Sequence, residues 1–425
     1  MKSNRLLGPA FIVTAAFIGP GSVLIASQAG ARYGFQLVWA VLFATVTAII
    51  LQEMSGRLGI VTGQGLADVL RRSIRIRLWR WAVLTLIMVG ILIGNTAFQT
   101  GNLLGAAAGS QAIQSSGQGG ETLHGMAILI ISSLSWIVIL IGRFDLLKNL
   151  LTLLVLLMSV VFMLAAIAGQ PDWQQVARGL LPSLPEGSGW LVVGLIGTTV
   201  VPYNLFLHAS ATAERWPRKT VQKTIDKERA VELSARDTRL ALAIGGLVTL
   251  SIMITAALAF HQPSVGPGTT AQPQPDVALK GVADIAGQLQ PILGQWATTM
   301  FGIGLFAAGF TSGITAPIAA AYAVAGCVGW PNQISDWRLK GVASIVLWIG
   351  AFMATVYGAS PKEAILVAQV ANGLLLPAVA IMLLVLVNQP TLMFRFYNSR
   401  GQNLMAVLAI GIVLLIALRQ FVMLI

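Results

Sequence analysis

Apolar runs long enough to cross a bilayer, about 20 residues each, follow one another from end to end of this chain. Eleven can be marked, at roughly 6–27, 36–54, 81–107, 124–142, 147–168, 189–210, 240–260, 293–325, 341–357, 363–387 and 403–424. Hydrocarbon offers no partner for a backbone N–H or C=O, so runs of this length must be helices that satisfy themselves. The reading is an all-α polytopic membrane protein of eleven transmembrane helices. Composition leaves no room for a soluble domain: the chain is 56% hydrophobic and 10% charged, with a mean hydropathy of +0.80.

A formal net charge of +12 raises the question of nucleic acid. Sorting the basic residues by segment removes it. With the N-terminus in the cytoplasm, the inner segments hold 22 of the 27 Lys and Arg residues, chiefly Arg57 to Arg80 and Arg215 to Arg239. The positive-inside rule accounts for that excess and sets the C-terminus outside. The partner is therefore the lipid bilayer, no nucleic acid is expected, and the location is the cell inner (plasma) membrane. The opening "MKSNRLLGPAFIVTAAF" has the charge of a signal peptide, but its apolar run is too long and leads into another span, so retention is expected. One cysteine, Cys327, excludes an intrachain disulfide and any multi-thiolate metal site.

Two insertions interrupt the spans. Glu214 to Arg239 is basic, lies between spans 6 and 7, and is expected to carry a short surface helix; His261 to Gln288 is rich in Pro, Gly and Gln and reads as an external loop. Two of the spans are themselves interrupted. Span 1 carries Gly19-Pro20-Gly21-Ser22 near its middle, and span 6 carries Val201-Pro202-Tyr203-Asn204. Glycine and proline break helices, and broken backbone at membrane depth survives only where it lines a cavity or is buried in protein. The two breaks lie five spans apart. That is the arrangement of transporters built from two inverted repeats, in which the first helix of each repeat is discontinuous around the substrate site. The repeats would be 1–168 (spans 1 to 5) and 189–387 (spans 6 to 10), with 403–425 an additional span 11.

The segment "LLGPAFIVTAAFIGPGSVLIASQAGARYGFQLVW" resembles the pattern GPAFL, DPGN and QAGAxYGYxLLW of the NRAMP divalent-metal transporters, which have the LeuT-type fold. "VVPYNLFLHASA" in span 6 is similar to that family's MPHNLYLHS, and "ILVAQVANGLLLPAVAI" in span 10 to its LSQVVLSLQLPFAI. The resemblance covers nearly the whole chain. It implies a LeuT-type 5+5 inverted repeat, discontinuous helices 1 and 6, uptake of manganese, iron or related ions with protons, and a monomer. The family's metal ligands are the Asp and Asn of DPGN, the Met of MPHN with a nearby carbonyl, and a glutamine of span 10. Here they fall on Gly19, Ser22, Val201 and Gln369, so only the glutamine is kept. On span 3, "LIGNTAFQTGN" puts Thr96 and Gln99 about where the family has acidic residues. In span 6 Tyr203 replaces one family histidine, while the other is matched by His208, and Arg338 with Lys340 loosely echoes its paired arginines in span 9.

Without a carboxylate or thioether, a bare dication lacks the ligands that usually hold it. The expected lining is neutral: Gly19, Gly21, Ser22 and Gln28; Asn95 and Gln99; Thr198, Thr199, Val201, Tyr203 and Asn204; Gln369 and Asn372. An unwound helix end at Gly21-Ser22 offers amide donors. The expectation is a secondary transporter, working by alternating access, of a small neutral or anionic polar organic solute. The alternative is a divalent cation (Mg, Mn or Fe) carried through a modified site, with or without protons. His208, Thr96 and Gln99 are the coupling candidates. A receptor that kept only the scaffold is a third class, opposed by the lack of a signalling domain. No nucleophile triad, phosphate loop or nucleotide motif is present, so an enzyme is not expected, no cofactor is called for, and energy comes from a gradient.

Overall fold

The computed structural model describes residues 19–113, 121–142, 145–217, 224–261, 282–331, 333, 335–356 and 361–422, and every regular element among them is helical. In chain order these are α1 (Pro20–Tyr33), α2 (Val38–Thr62), α3 (Leu66–Ser73), α4 (Arg77–Ile113), α5 (Glu121–Ile141), α6 (Asp145–Ala168), α7 (Trp173–Arg178), α8 (Gly189–Thr199) and α9 (Pro202–Arg215). There follow α10 (Thr224–Phe260), α11 (Val282–Gly287), α12 (Gln290–Leu293), a 3-10 turn at Gly294–Trp296, α13 (Ala297–Val328), α14 (Trp337–Val356), α15 (Pro361–Val387), α16 (Pro390–Met393) and α17 (Arg400–Val422). Nine candidate spans among the described residues are long and apolar enough to cross a membrane, and the shorter apolar Thr152–Ala168 falls on predicted span 5. The helix Pro20–Tyr33 falls on span 1, whose residues 6–18 lie outside the described residues. A described helix therefore falls on each of the eleven predicted spans.

Span 6 is broken where its proline required. The helix α8 stops at Thr199, Val200 and Val201 leave helical geometry, and α9 restarts with Pro202 at its first turn. Proline has no N–H, so the Thr198 carbonyl cannot receive its i+4 bond and the ladder stops there. The helix α1 likewise starts at Pro20, capped by Gly19 in extended conformation at φ −116° and ψ −176°. That is one residue earlier than the Gly21-Ser22 expectation, because Pro20 is pre-set for a first helical position. One insertion is corrected. Residues 224–239 do not form a separate surface helix, since α10 runs unbroken through Thr224–Phe260 and span 7 simply continues into the basic segment.

The helices sort into two groups. One comprises α1, α2, α8, α9 and α10, with α10 packed on α1 and α2 and with α9 packed on α2. The other comprises α4, α5, α13 and α14, centred on the long α4–α13 contact. Between them α6 lies against α10 and α13, while α15 lies against α2, α4 and α8. Small residues let the backbones approach, as is usual between membrane helices. A Cβ on Gly30 would lie 2.1 Å from the Met253 carbonyl of α10, and one on Gly59 would lie 2.2 Å from the Ala209 carbonyl of α9. No rotamer change relieves a clash with backbone. Gly30→Val is thus expected to cost roughly 1–3 kcal/mol or more through overpacking, seen as a lower melting temperature in detergent, whereas Gly411→Ala, inside α17 where nothing lies within 4 Å, should not lower it.

Candidate functional site

The start of α1 and the break between α8 and α9 converge on the interface between the two groups. The ring of Pro20 sits on Gly105 of α4, where an added Cβ would come within 2.1 Å of the proline Cβ. That small residue lets the start of α1 reach α4. Across the interface Ser22 Oγ and Thr198 Oγ1 are 2.8 Å apart, joining the first turn of α1 to the last turn of α8. On α15, Gln369 and Asn372 are one turn apart and share a face. The Gln369 amide lies over Gly21, 2.3 Å from where a Cβ would be, and its backbone carbonyl approaches Gly197 of α8. The Asn372 side chain faces Gly94 of α4. The Tyr203 ring packs edge-on against Phe98, with centroids 5.4 Å apart.

The break is lined by neutral polar groups with unused capacity. Tyr203 Oη, both polar atoms of Asn204 and of Asn372, Gln369 Oε1 and Asn102 Nδ2 are buried and have no hydrogen-bond partner among the described residues. Native proteins leave few such atoms unpaired, and clusters of them call for an occupant. Asn102 was not singled out from the sequence, nor was Ser312 on α13. Both lie beside Gly19: a Cβ there would be 3.2 Å from Ser312 Oγ and 3.6 Å from Asn102 Oδ1. The signal for Asn102 was its spacing, since Asn95, Gln99 and Asn102 stand at i, i+4 and i+7 on one helical face. Among the described residues no group of three His, Cys, Asp or Glu side chains comes together to hold a metal. Val201 is fully buried and contributes its carbonyl to the Asn204 N–H at 3.0 Å.

Several candidates are otherwise engaged. Asn95 Nδ2 donates to the Ala316 carbonyl at 2.9 Å, and Gln99 Nε2 to the Gly313 carbonyl at 3.0 Å. Gly313 lies four residues before Pro317, which stands inside α13 and gives that carbonyl no helical donor. The Gln99 amide fills the gap. Its place is thus a strap between α4 and α13, with only Oε1 left free. Thr199 bonds the Leu195 carbonyl of its own helix, and Thr96 is half-buried, its carbonyl taking the Thr100 hydroxyl at 3.0 Å. His208 is fully buried in α9 with Nδ1 2.9 Å from Gln52 Oε1, and Nε2 has no partner among the described residues. Arg338 lies over Trp330 and Trp337, between α13 and α14, and Lys340 bonds the Leu140 carbonyl at the end of α5, so neither contacts the break. Gln28 is buried in α1.

Gln99→Leu is expected to destabilise by about 1–3 kcal/mol, the cost of an orphaned buried carbonyl, measured by melting in detergent. Gln99→Glu tests the need for a permanent donor. A protonated carboxyl can donate to Gly313 whereas a carboxylate cannot, so its folded-state pKa is raised and its stability must fall as pH rises. Flat melting from acid to neutral pH in that variant would contradict the strap.

Comparison with known proteins gives a consistent result. The Nramp family, described as natural resistance-associated macrophage protein-like, matches residues 10–423. A protein of Yersinia pestis (strain Pestoides F) named divalent metal cation transporter MntH is 30% identical over 421 residues, covering 96% of this chain and 92% of its own length. Among solved structures, a mutant of the Eremococcus coleocola manganese transporter superposes with a TM-score of 0.77 at 20% identity, covering 99% of this chain and 88% of that one. MhsT in complex with L-phenylalanine superposes with a TM-score of 0.55 at 17% identity, covering 98% and 99%.

Proposed function

This chain belongs to the Nramp family and is a multi-pass membrane transporter, and from that premise we propose that its cargo is a divalent cation carried with most of its water. The observation that carries this reading is whole-length kinship with relatives named divalent metal cation transporters. It stands against the organic solute that the sequence alone favoured. The chemistry of the break then dictates the form of the cargo. Burying a bare dication among neutral groups costs many kcal/mol. Water kept in the first shell lowers that cost and presents O–H donors to the free acceptors of Asn204, Gln369, Asn372 and Tyr203. Magnesium fits best, because it dehydrates reluctantly and is commonly held through water.

The cycle is alternating access, one helix group rocking against the other around the breaks. Residues 1–168 and 189–387 form the two repeats, a division supported by the matched placing of α6 against α10 and α13 and of α15 against α2 and α4. Orientation follows the basic segments, N-terminus inside and C-terminus outside, in the plasma membrane, and the working unit is a monomer. A second reading keeps one observation of its own. The free amide nitrogens of Asn102, Asn204 and Asn372 suit a carboxylate-bearing solute, and the fold holds L-phenylalanine in MhsT.

Proteoliposome uptake separates the two. Saturable magnesium uptake inhibited by hexaamminecobalt(III), an inert mimic of a hydrated cation, is the expected result; no uptake of any divalent ion alongside uptake of an amino acid would move the reading to the organic solute. Gly19→Asp adds the missing carboxylate beside Ser312, where the backbone admits a side chain. It should tighten manganese binding by about tenfold or more, roughly 1.4 kcal/mol, by calorimetry.

A further inference from the structure

Resting on the transporter reading above, we propose that the transport cycle moves its cargo alone, with no proton carried alongside. A proton passenger needs a group that binds and releases it inside the membrane. Among the described residues, His208 is the only Asp, Glu, His, Lys or Arg side chain that is buried. The face of α4 turned to the interface offers Asn95, Gln99 and Asn102, whose amides neither take up nor release protons near neutral pH. Two of them are committed besides. Asn95 and Gln99 spend N–H donors on the Ala316 and Gly313 carbonyls, and the second is the carbonyl that Pro317 leaves without a helical donor. That position requires a group that donates at every pH. A titrating carboxyl would release the strap each time it ionised, so the α4–α13 contact is incompatible with proton traffic through residue 99.

His208 lacks the relay that would serve it. Its ring meets Gln52 through Nδ1 and approaches Gly56, which the Ser234 hydroxyl also borders, all neutral. Most of the charged groups on the elements packed around it have partners of their own: Glu53 with Arg239, Arg57 with Asn398 and Gln402, Asp68 with Arg71, Arg236 with Glu232, Glu228 with Arg395, Arg215 with Trp216 and Glu214 with Tyr322. Asp226, Lys227, Arg229 and Asp237 also lie on α10, and the His208 ring makes no hydrogen bond to any of them. A buried imidazole flanked by amide, hydroxyl and glycine has the surroundings of a packing group.

The test uses the full chain in liposomes loaded with a pH dye, the voltage clamped with potassium and valinomycin, and magnesium or manganese as the probe. The expected result is cation uptake that changes less than about twofold between about pH 5.5 and 7.5, the range in which histidine titrates, with internal pH tracking that of empty vesicles. Acidification that follows cation entry overturns the proposal. If no cation moves, the cation reading fails while the same vesicles still decide this one: with amino acids as the probe, uptake during which internal pH tracks that of empty vesicles upholds it, and acidification that follows uptake overturns it.

Discussion

A backbone carbonyl or amide inside a bilayer must find a partner within the protein, and the break before Pro202 and the helix start at Pro20 strain that rule. Everything around them compensates. The helix α8 is tied to α1 by the Ser22–Thr198 hydroxyl pair, the restart of α9 is closed by the Asn204 N–H on the Val201 carbonyl, and α15 leans its amide face over Gly21. Unwound chain of this kind is tolerated only where protein surrounds it, and Val201, Tyr203 and Asn204 are accordingly buried.

The same economy governs the rest of the interior, which uses neutral amides and hydroxyls where a charge would need a counter-charge. Amides carry both a donor and an acceptor and keep them at any pH. They can strap helices permanently, as Gln99 does at the carbonyl opposite Pro317, and still turn a free oxygen to an occupant. Such a lining handles a hydrated ion through its water and an organic zwitterion through its polar ends, so the lining by itself is less selective than a carboxylate with a thioether. Charge is kept to the ends of the helices, where Glu53–Arg239 and Glu228–Arg395 tie α2, α10 and the segment before α17 together.

Much of this was legible in the residues because the code for it is local. Run lengths gave the spans, and prolines the break in span 6 and the start of α1. What escaped depends on register between distant helices. The sequence offers Gln99 and Pro317 but not the alignment of α4 and α13 that puts the amide on the Gly313 carbonyl, and so Gln99 read as a coupling candidate. Asn102 and Ser312 went unmarked for the same reason, since their closeness to Gly19 is set by packing. The continuation of α10 through 224–239 was hidden because charge there suggested a loop, whereas an exposed helix tolerates charge on every face but one. On cargo the residues favoured an organic solute, whereas kinship with relatives named divalent metal cation transporters favours the alternative: losing Asp and Met argues against a bare transition metal and says little about an ion that keeps its water.

The measurement that bears most directly on this account is the melting temperature of the detergent-purified protein against divalent cations and small organic metabolites, since a ligand bound only to the folded state raises it. The account predicts a saturable rise with magnesium that Asn204→Ala and Gln369→Ala reduce. A rise with an organic compound alone, unaffected by any divalent cation, would contradict it.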